Sequence, residues 1–379
     1  MSGALGIYCH IPFCRSKCAY CDFCSTPHWG ESDMDAYVAA LTGQMEAWLP
    51  AENPPAVDTV YFGGGTPSVL GAARLTALLE ALKARVKLLP GCEITVEVNP
   101  ESADEALFRG LKAAGVNRIS MGVQTSDDAL LRRIGRIHTF EKAREAVALC
   151  KAYCTDNLSL DLIYGLPGQT MKGWLQSVED ICALAPRHIS CYALKLEEGT
   201  PLWREDPVLP DDDLQADMYL AAVSRLAELG YAQYEISNFA QLGFHSRHNS
   251  RYWDLSEYLG LGCAAHSCYG GKRFSFTSDI NAFVRSAGKI APIPEDDLSE
   301  PDRLGEFVML ALRTCGGIDE QAFFRRWGRD FSPVARRLQP YIATGHVLRE
   351  DGLWRLTPEG FLVSNSIIGQ ALDALAESE

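Results

Sequence analysis

The 379-residue chain lacks any apolar run long enough to cross a bilayer as a helix, which takes about 18 or more residues. Its N-terminus also lacks the basic stretch and apolar core of a secretory signal peptide. Basic residues are in the minority, with 35 Lys and Arg against 49 Asp and Glu and a net charge of −14. This balance argues against broad nucleic-acid binding and against an electrostatic membrane anchor.

Cysteine, by contrast, is plentiful, with 13 residues, an odd number. Without an export signal, these thiols indicate a reducing cytoplasmic location, where clustered cysteines favour metal or redox chemistry. Most of the cysteines are scattered among apolar residues and are most simply small buried hydrophobic side chains. The composition is that of a globular protein, and the length predicts two or three domains.

Strand-like and helix-like segments alternate six times in the first half of the chain, a pattern typical of parallel βα units. Polar motifs lie at the ends of the predicted strands or just after them, where parallel sheets and barrels place their sites. We therefore predict an α/β fold, an incomplete TIM-like (β/α)6 barrel. The strands are predicted at residues 7–11, 57–62, 93–99, 118–123, 158–164 and 189–194.

Beyond residue 200 the alternation ends. Residues 231–287 are rich in aromatic residues, Gly, Ser and His, and their periodicity predicts little. An acidic, Pro-containing linker follows at 292–302, and Asp351-Gly352 predicts a hairpin between helices. We predict a smaller, mainly helical C-terminal domain with winged-helix character. The expected parts are a partial barrel over 1–235, a connecting region over 236–295 and the C-terminal domain over 296–379.

Cys14, Cys18 and Cys21 are spaced C-x3-C-x2-C after the first predicted strand. Three cysteine thiolates hold three irons of a [4Fe–4S] cluster and leave the fourth iron open. An open iron beside a suitable pocket begins the radical chemistry of S-adenosylmethionine (SAM). The alternative is three buried cysteines packed in a tight loop. Tyr20, just before the third cysteine, is placed either to flank an adenine or to pack that loop.

A glycine motif, Gly63–Pro67, ends the second predicted strand. Glycines let backbone N–H groups approach a carboxylate such as that of SAM, although glycine runs also mark ordinary turns. Glu97 and Asp161 lie in apolar strands, where a carboxylate is costly without a partner. We predict that Glu97 accepts from the SAM amine and Asp161 from the ribose hydroxyls.

Gln124 follows the fourth strand, and Arg136 offers a planar guanidinium to the SAM carboxylate. For each of these polar residues alone, a structural ion pair or hydrogen bond is the better explanation. Together, at successive strand ends, they favour one shared ligand.

His248 begins a second motif, HNSRYW at 248–253. A histidine flanked by Tyr and Trp suits a heme iron in an apolar pocket. The competing interpretation is a hydrogen-bonded surface or core histidine, because lone histidines are rarely ligands.

Nine motifs follow one another along the chain: CRSKCAYCDF, GGGTP, EVNPES, SMGVQ, GRIH, DLIYGLPGQT, YEISNFA, SRHNSRYW and YLGLGCAAHS. In content and order they resemble the coproporphyrinogen-oxidase-like radical SAM family, and within it the heme chaperone branch. The resemblance covers nearly the whole chain and is less distinctive over the last hundred residues.

The resemblance implies a heme chaperone that carries a [4Fe–4S] cluster and SAM. It implies Cys14, Cys18 and Cys21 as cluster ligands, and His248 of the HNxxYW motif as the heme ligand. The implied partners are heme and a heme-accepting respiratory protein, with a membrane-associated acceptor and a homodimer as open alternatives. The residues that it places around SAM are Tyr8, Tyr20, Phe23, Gly64, Gly65, Thr66, Glu97, Gln124, Arg136 and Asp161.

The alternative function is that of an oxygen-independent coproporphyrinogen III oxidase, which makes protoporphyrinogen IX by radical decarboxylation. Two departures from that enzyme's pattern weaken this alternative. Phe23 stands where the oxidase has a fourth cysteine, with Cys24 one residue later. Only seven residues precede Tyr8, against a sizeable N-terminal arm in the oxidase. The resemblance therefore favours a heme chaperone on a radical SAM scaffold, without coproporphyrinogen oxidase activity.

Overall fold

A computed structural model of the chain describes residues 3–295 and 299–377. Its strands are β1 (Leu5–Ile11), β2 (Ala56–Gly64), β3 (Lys87–Val98), β4 (Arg118–Gln124), β5 (Leu158–Tyr164), β6 (His188–Ala193), β7 (Ala232–Glu235), β8 (Asn238–Ala240), β9 (Tyr258–Leu261), β10 (His266–Tyr269), β11 (Lys272–Ser275), β12 (Ile293–Pro294), β13 (Ile318–Asp319), β14 (Val347–Glu350) and β15 (Leu353–Leu356).

The helices alternate with these strands in the first half of the chain and dominate its end. They are α1 (Glu31–Trp48), α2 (Gly71–Lys83), α3 (Glu105–Ala113), α4 (Asp128–Arg133), α5 (Phe140–Tyr153), α6 (Met171–Ala183), α7 (Pro201–Arg204), α8 (Asp212–Glu228), α9 (Arg247–Asp254), α10 (Ile280–Arg285), α11 (Glu300–Ala311), α12 (Glu320–Trp327), α13 (Ser332–Leu338), α14 (Pro340–Ala343), α15 (Pro358–Leu362) and α16 (Ser364–Ala376). Among the described residues, no helix is long and apolar enough to cross a membrane.

The first six strands form a parallel sheet in chain order, β1-β2-β3-β4-β5-β6. This confirms the predicted α/β fold with six βα units. Most residues of these strands are buried, as in β5, while Glu97 of β3 and Asp161 of β5 lie in the walls of cavities. Over the described residues the sheet stays open, with β12 at one edge and β7 at the other.

Six further strands widen this sheet where the sequence predicted little. At one edge β8 and then β7 pair antiparallel beyond β6. At the other, β9 joins β1 in parallel and β10 to β12 continue antiparallel. Strands of two to four residues are too short for a hydrophobic period to reveal them. The division of the chain into three parts at residues 235 and 295 stays a prediction. Residues 1–2, 296–298 and 378–379 of these parts lie outside the described residues.

The end of α2 differs from the helix that the sequence indicates over 71–89. The helix stops at Lys83, and β3 begins at Lys87. Leu88 pairs with Val57 of β2. Pairing with the sheet overrides the helical pattern of this short stretch.

The C-terminal region packs helices α11 to α16 around the three-stranded sheet β13-β15-β14. The predicted hairpin at 347–356 is confirmed, with positive φ at both Asp351 (49°) and Gly352 (84°). Backbone hydrogen bonds tie this region to the large sheet. Ile236 N–H donates to Arg313 O and Cys315 N–H donates to Tyr234 O, each at 3.0 Å.

Candidate functional site

A small cavity of about 150 Å³ lies at the carboxyl edge of β1 to β5. Its wall contains the three loop cysteines and nine of the ten side chains or glycines that were assigned to SAM, all except Tyr8. They are Cys14, Cys18, Cys21, Tyr20, Phe23, Gly64, Gly65, Thr66, Glu97, Gln124, Arg136 and Asp161. Convergence of residues from strands β2 to β5 and from the loops after β1, β2 and α4 favours one shared ligand, while the role of each residue stays a prediction.

The cysteine loop is held in place by hydrogen bonds to neighbouring segments. Cys14 N–H donates to Thr26 O at 3.0 Å, and the Trp29 indole donates to Cys14 O at 2.7 Å. Farther along, Ala19 N–H donates to Ile134 O at 3.0 Å. A small apolar cluster packs against Ala19 and Tyr20. The positions of the three thiols are therefore fixed by the fold.

The glycine motif approaches this loop so closely that a side chain would not fit. Gly65 N–H donates to Ile11 O at 2.8 Å. A Cβ atom on Gly65 would lie 2.8 Å from Phe13 O and 3.1 Å from Cys14 Sγ. The adjacent Thr66 Oγ1 lies 3.5 Å from the same sulfur. The glycine at this position therefore allows the second strand end to line the cysteine site.

Arg136 places a cation between the cysteine loop and the strand ends. Its Nη1 lies 3.5 Å from Cys18 Sγ, and its Nη2 donates to Gly122 O at 2.5 Å and to Asn99 Oδ1 at 2.9 Å. The buried Nε has no hydrogen-bond partner among the described residues. A guanidinium with a free donor in a cavity wall suits a ligand carboxylate.

Seven further residues line this cavity that the motifs did not assign a role: Ser16, Lys17, Ser25, Val98, Asn99, Ser120 and Gly122. Asn99 donates from Nδ2 to Thr66 Oγ1 at 2.9 Å, so it connects the glycine motif with Arg136. In the sequence, the position of Asn99 immediately after β3 and inside the EVNPES motif could have identified it as a site residue.

Glu97 is the carboxylate most strongly affected by this setting. Tyr61 Oη donates to its Oε1 at 2.8 Å and Gly64 N–H to its Oε2 at 3.2 Å. Burial raises the pKa of Glu97 to about 7, and the nearby Asp161 also raises it. Burial likewise raises the pKa of Asp161. Two carboxylates that are costly to ionise gain from a cationic ligand such as an amine.

Gln124 has a left-handed backbone, with φ of 74°. Residues other than glycine rarely adopt this conformation, and such strain is concentrated at binding sites. The side chain is nearly buried and faces the same cavity.

A second cavity of about 930 Å³ adjoins the first, within the size range of roughly 300–1,000 Å³ typical of ligand sites. Tyr8 lies in its wall. The two cavities share the wall residues Phe23, Gly64, Glu97, Ser120 and Asp161. The larger cavity is rich in aromatic side chains: Tyr8, Tyr61, Tyr192, Tyr252, Trp253 and Tyr258.

Arg118 is one of three charged residues of this larger cavity that sequence reasoning missed, with Glu235 and Arg313. It is only 2% exposed, and its Nε and Nη1 have no hydrogen-bond partner among the described residues. A buried cation with two unpaired donors is costly. The charge of Asp161 in the same cavity wall offsets part of that cost, and an anionic group in the cavity would offset more.

His248 lies directly behind the wall of the larger cavity. Its Nδ1 is 3.0 Å from Thr59 Oγ1 and its Nε2 is 3.0 Å from Tyr252 Oη. Burial lowers the pKa of His248 to about 3, with Arg251 and Arg118 adding to the effect, so the imidazole is neutral. Tyr252 itself lines the cavity. Ligation of an iron by Nε2 would require the Tyr252 hydroxyl to move aside, and the assignment of His248 stays a prediction.

The donor set of the smaller cavity fits a [4Fe–4S] cluster and SAM. Three cysteines lie in one wall, and Thr66 and Arg136 direct polar atoms at two of the sulfurs. Such polar contacts to cluster sulfurs tune reduction potential. When bound, the cluster would supply the electron that cleaves SAM reductively.

Comparisons with known proteins agree with this assignment of cofactors. Residues 8–181 match the radical SAM superfamily, and residues 298–363 match the HemN C-terminal domain. The fold is similar to that of coproporphyrinogen III oxidase (HemN) from Escherichia coli, a radical SAM enzyme. That match has a TM-score of 0.86 and 21% identity and covers 98% of this chain and 90% of the other. The fold and the cysteine site thus define a radical SAM protein, with a [4Fe–4S] cluster and SAM as its implied cofactors.

Three relatives define the position within that class. The heme chaperone HemW of Haemophilus influenzae is 33% identical over 374 residues, covering 96% of this chain and 97% of the relative. HemW of Escherichia coli is 34% identical over 367 residues, covering 96% and 97%. HemW of Bacillus subtilis is 33% identical over 384 residues, covering 97% and 99%. The chain belongs to the heme chaperone HemW family, which confirms the resemblance inferred from its motifs.

Proposed function

We propose that the chain binds heme in the larger cavity and transfers it to an acceptor hemoprotein. The smaller cavity holds the cluster and SAM beside it. The observation that carries this proposal is the aromatic cavity of about 930 Å³, which shares a wall with the cysteine site. The names of the relatives, heme chaperones, support the same assignment.

The chemistry of the larger cavity suits a flat apolar macrocycle with acidic side chains. Tyrosine and tryptophan rings present broad faces for stacking while their polar atoms reach solvent. Phe23 is 62% exposed and stands where the two cavities meet. The Arg118 guanidinium has two unpaired donors and would bind a propionate after a rotation that brings them to the cavity surface. His248 then supplies the axial imidazole through Nε2, in place of its hydrogen bond to Tyr252.

A heme titration of the cluster-loaded protein tests this proposal. We expect a saturable Soret band with the wild type and a weaker, shifted band with His248→Ala. The matched control is His245→Ala. The His245 ring stacks on Tyr234, with 4.2 Å between the ring centroids, and it does not line the cavity. An unchanged spectrum and affinity in His248→Ala would show that His248 is not the heme ligand. A lack of saturable binding by the wild type would contradict the proposed function.

The acceptor is proposed to be a respiratory hemoprotein. Membrane association of that acceptor, a homodimer and a cytoplasmic location stay predictions. The acceptor assignment is tested by mixing the heme-loaded protein with a heme-free respiratory cytochrome and following the Soret band of each. Heme that stays on the donor would contradict transfer to that class of acceptor.

A further inference from the structure

His10, Cys24 and Cys263 form a cluster that the proposed function does not use. Each offers one ligand atom, a ring nitrogen or a sulfur, and the three atoms lie within 4.8 Å of one another. The residues come from β1, from the loop after the cysteine motif and from the loop between β9 and β10. Cys24 and Cys263 are 239 positions apart, so only the fold brings them together.

Hydrogen bonds fix the orientation of this cluster. The His10 ring has Nδ1 at 3.1 Å from Tyr8 Oη and Nε2 at 2.8 Å from Cys24 O. Tyr37 Oη donates to His10 O at 2.8 Å and accepts from Cys263 N–H at 3.1 Å. Tyr37 Oη also lies 3.6 Å from Cys263 Sγ. Such outer contacts, holding the ring and backbone of the ligands, are typical of metal sites.

Two glycines let neighbouring backbone approach His10, one beside Cys263 and one at the end of β2. Gly262 has φ of 102°, and a Cβ atom there would lie 2.7 Å from both His10 O and Tyr37 Oη. Gly64 has φ of 110°, and a Cβ atom there would lie 2.4 Å from the His10 ring. Both positions require glycine for conformation and for space. The close approach of Cys263 to His10 is therefore built into the backbone.

The ligand types and their spacing match a tetrahedral zinc site. Zinc binds thiolate at about 2.3 Å and imidazole at about 2.0–2.1 Å, which places ligand atoms of a tetrahedron roughly 3.3–3.8 Å apart. The three ligand atoms of His10, Cys24 and Cys263 lie within 4.8 Å of one another, and small side-chain rotations would bring them to the spacing of a zinc site. His10 and Cys24 also lie in the wall of the larger cavity. Two sulfurs and one imidazole leave the fourth position to a ligand from that cavity.

We propose that His10, Cys24 and Cys263 bind a zinc-class divalent cation at the wall of the larger cavity, separate from the iron–sulfur ligands. Ligation through His10 Nε2 replaces its hydrogen bond to Cys24 O, while Nδ1 donates to Tyr8 Oη. Thiolate and imidazole select such soft-to-borderline metals over magnesium or calcium. The fourth position is open to water or to an anionic group of a molecule in the cavity.

Cobalt(II) titration of the cluster-loaded protein under anaerobic conditions tests this proposal. We expect one cobalt per chain, with a thiolate-to-metal charge-transfer band and the visible bands of a tetrahedral ion, both removed by one equivalent of zinc. Cys24→Ser and Cys263→Ser are each expected to weaken binding by about 100-fold or more, since even outer contacts are worth about 10–100-fold.

Cys268→Ser is the matched control, because this half-buried cysteine lies five residues from Cys263 but outside the cluster of ligand atoms. It is expected to bind cobalt as the wild type does. Iron content and cluster absorbance are measured on every variant, and unchanged values show that metal loss is not cluster loss. Wild-type affinity in both Cys24→Ser and Cys263→Ser, or cobalt bands without thiolate character, would overturn the site.

Discussion

Glu97→Gln is expected to stabilise the SAM-free protein at pH 8 while weakening SAM binding. The folded-state pKa of Glu97 is about 7, against an ordinary value of 4.5. Because the folded form holds the proton more tightly, this group's contribution to stability is present below pH 4.5. It is lost as the pH rises through about 7. Glutamine does not titrate and avoids that loss.

The magnitude follows from the two pKa values and the hydrogen bonds of Glu97. At about 1.4 kcal/mol per pKa unit, the loss is at most about 3.5 kcal/mol. This is an upper limit because the Glu97 side chain is only partly buried and lines a cavity. Glutamine retains an acceptor for Tyr61 but sets an NH2 group against Gly64 N–H, which costs about 1–2 kcal/mol. The net gain at pH 8 is therefore on the order of 1 kcal/mol.

Denaturant unfolding at pH 5 and pH 8 measures this difference. At pH 5 the wild-type carboxyl is protonated, so the variant is expected to be less stable there and more stable at pH 8. Glu105→Gln is the control, since its ion pair with Arg109 is exposed and contributes little at either pH. If Glu97→Gln unfolds with the same free energy as the wild type at both pH values, or is less stable than the wild type at pH 8, the raised pKa of Glu97 is not costing stability as described.

Three further predictions concern the cofactor sites. Serine at any one of the three loop cysteines is expected to abolish the brown absorbance of the cluster in anaerobic samples. Cys24→Ser is expected to keep that absorbance. A full cluster signal in a loop variant would contradict the ligand assignment. Gly65→Ala is expected to lower cluster content, measured as iron per chain, because its Cβ would meet Cys14 Sγ at 3.1 Å and Phe13 O at 2.8 Å. Arg118→Gln is expected to weaken heme binding by about 10- to 100-fold, because a hydrogen bond to a charged group is worth about 1.5–3 kcal/mol. A heme titration with unchanged affinity would exclude the propionate contact.

The parallel sheet and the contents of the smaller cavity were predictable from sequence because each motif carries its own local chemistry. Buried strands of six or seven residues are recognisable, and the residues at their ends must meet at one edge. Gly65, Arg136 and the three cysteines therefore converge as the motif order indicated.

Other features depend on contacts between distant segments, which no local pattern shows. Arg118 at the start of β4 looks like an ordinary strand residue, and only the fold leaves its donors unpaired in a cavity. Tyr8, which the resemblance places beside SAM, lines the larger cavity that adjoins the smaller one, and its role stays a prediction. The proximity of Cys24 and Cys263 likewise depends on the parallel pairing of β1 with β9.

The measurement that most directly tests a heme chaperone against a porphyrinogen oxidase is anaerobic incubation of the cluster-loaded protein with coproporphyrinogen III, SAM and a reductant. Product analysis then counts protoporphyrinogen IX formed per chain. We expect no multiple-turnover product, together with saturable heme binding by the same preparation. Catalytic formation of the divinyl product would contradict the assignment as a heme chaperone.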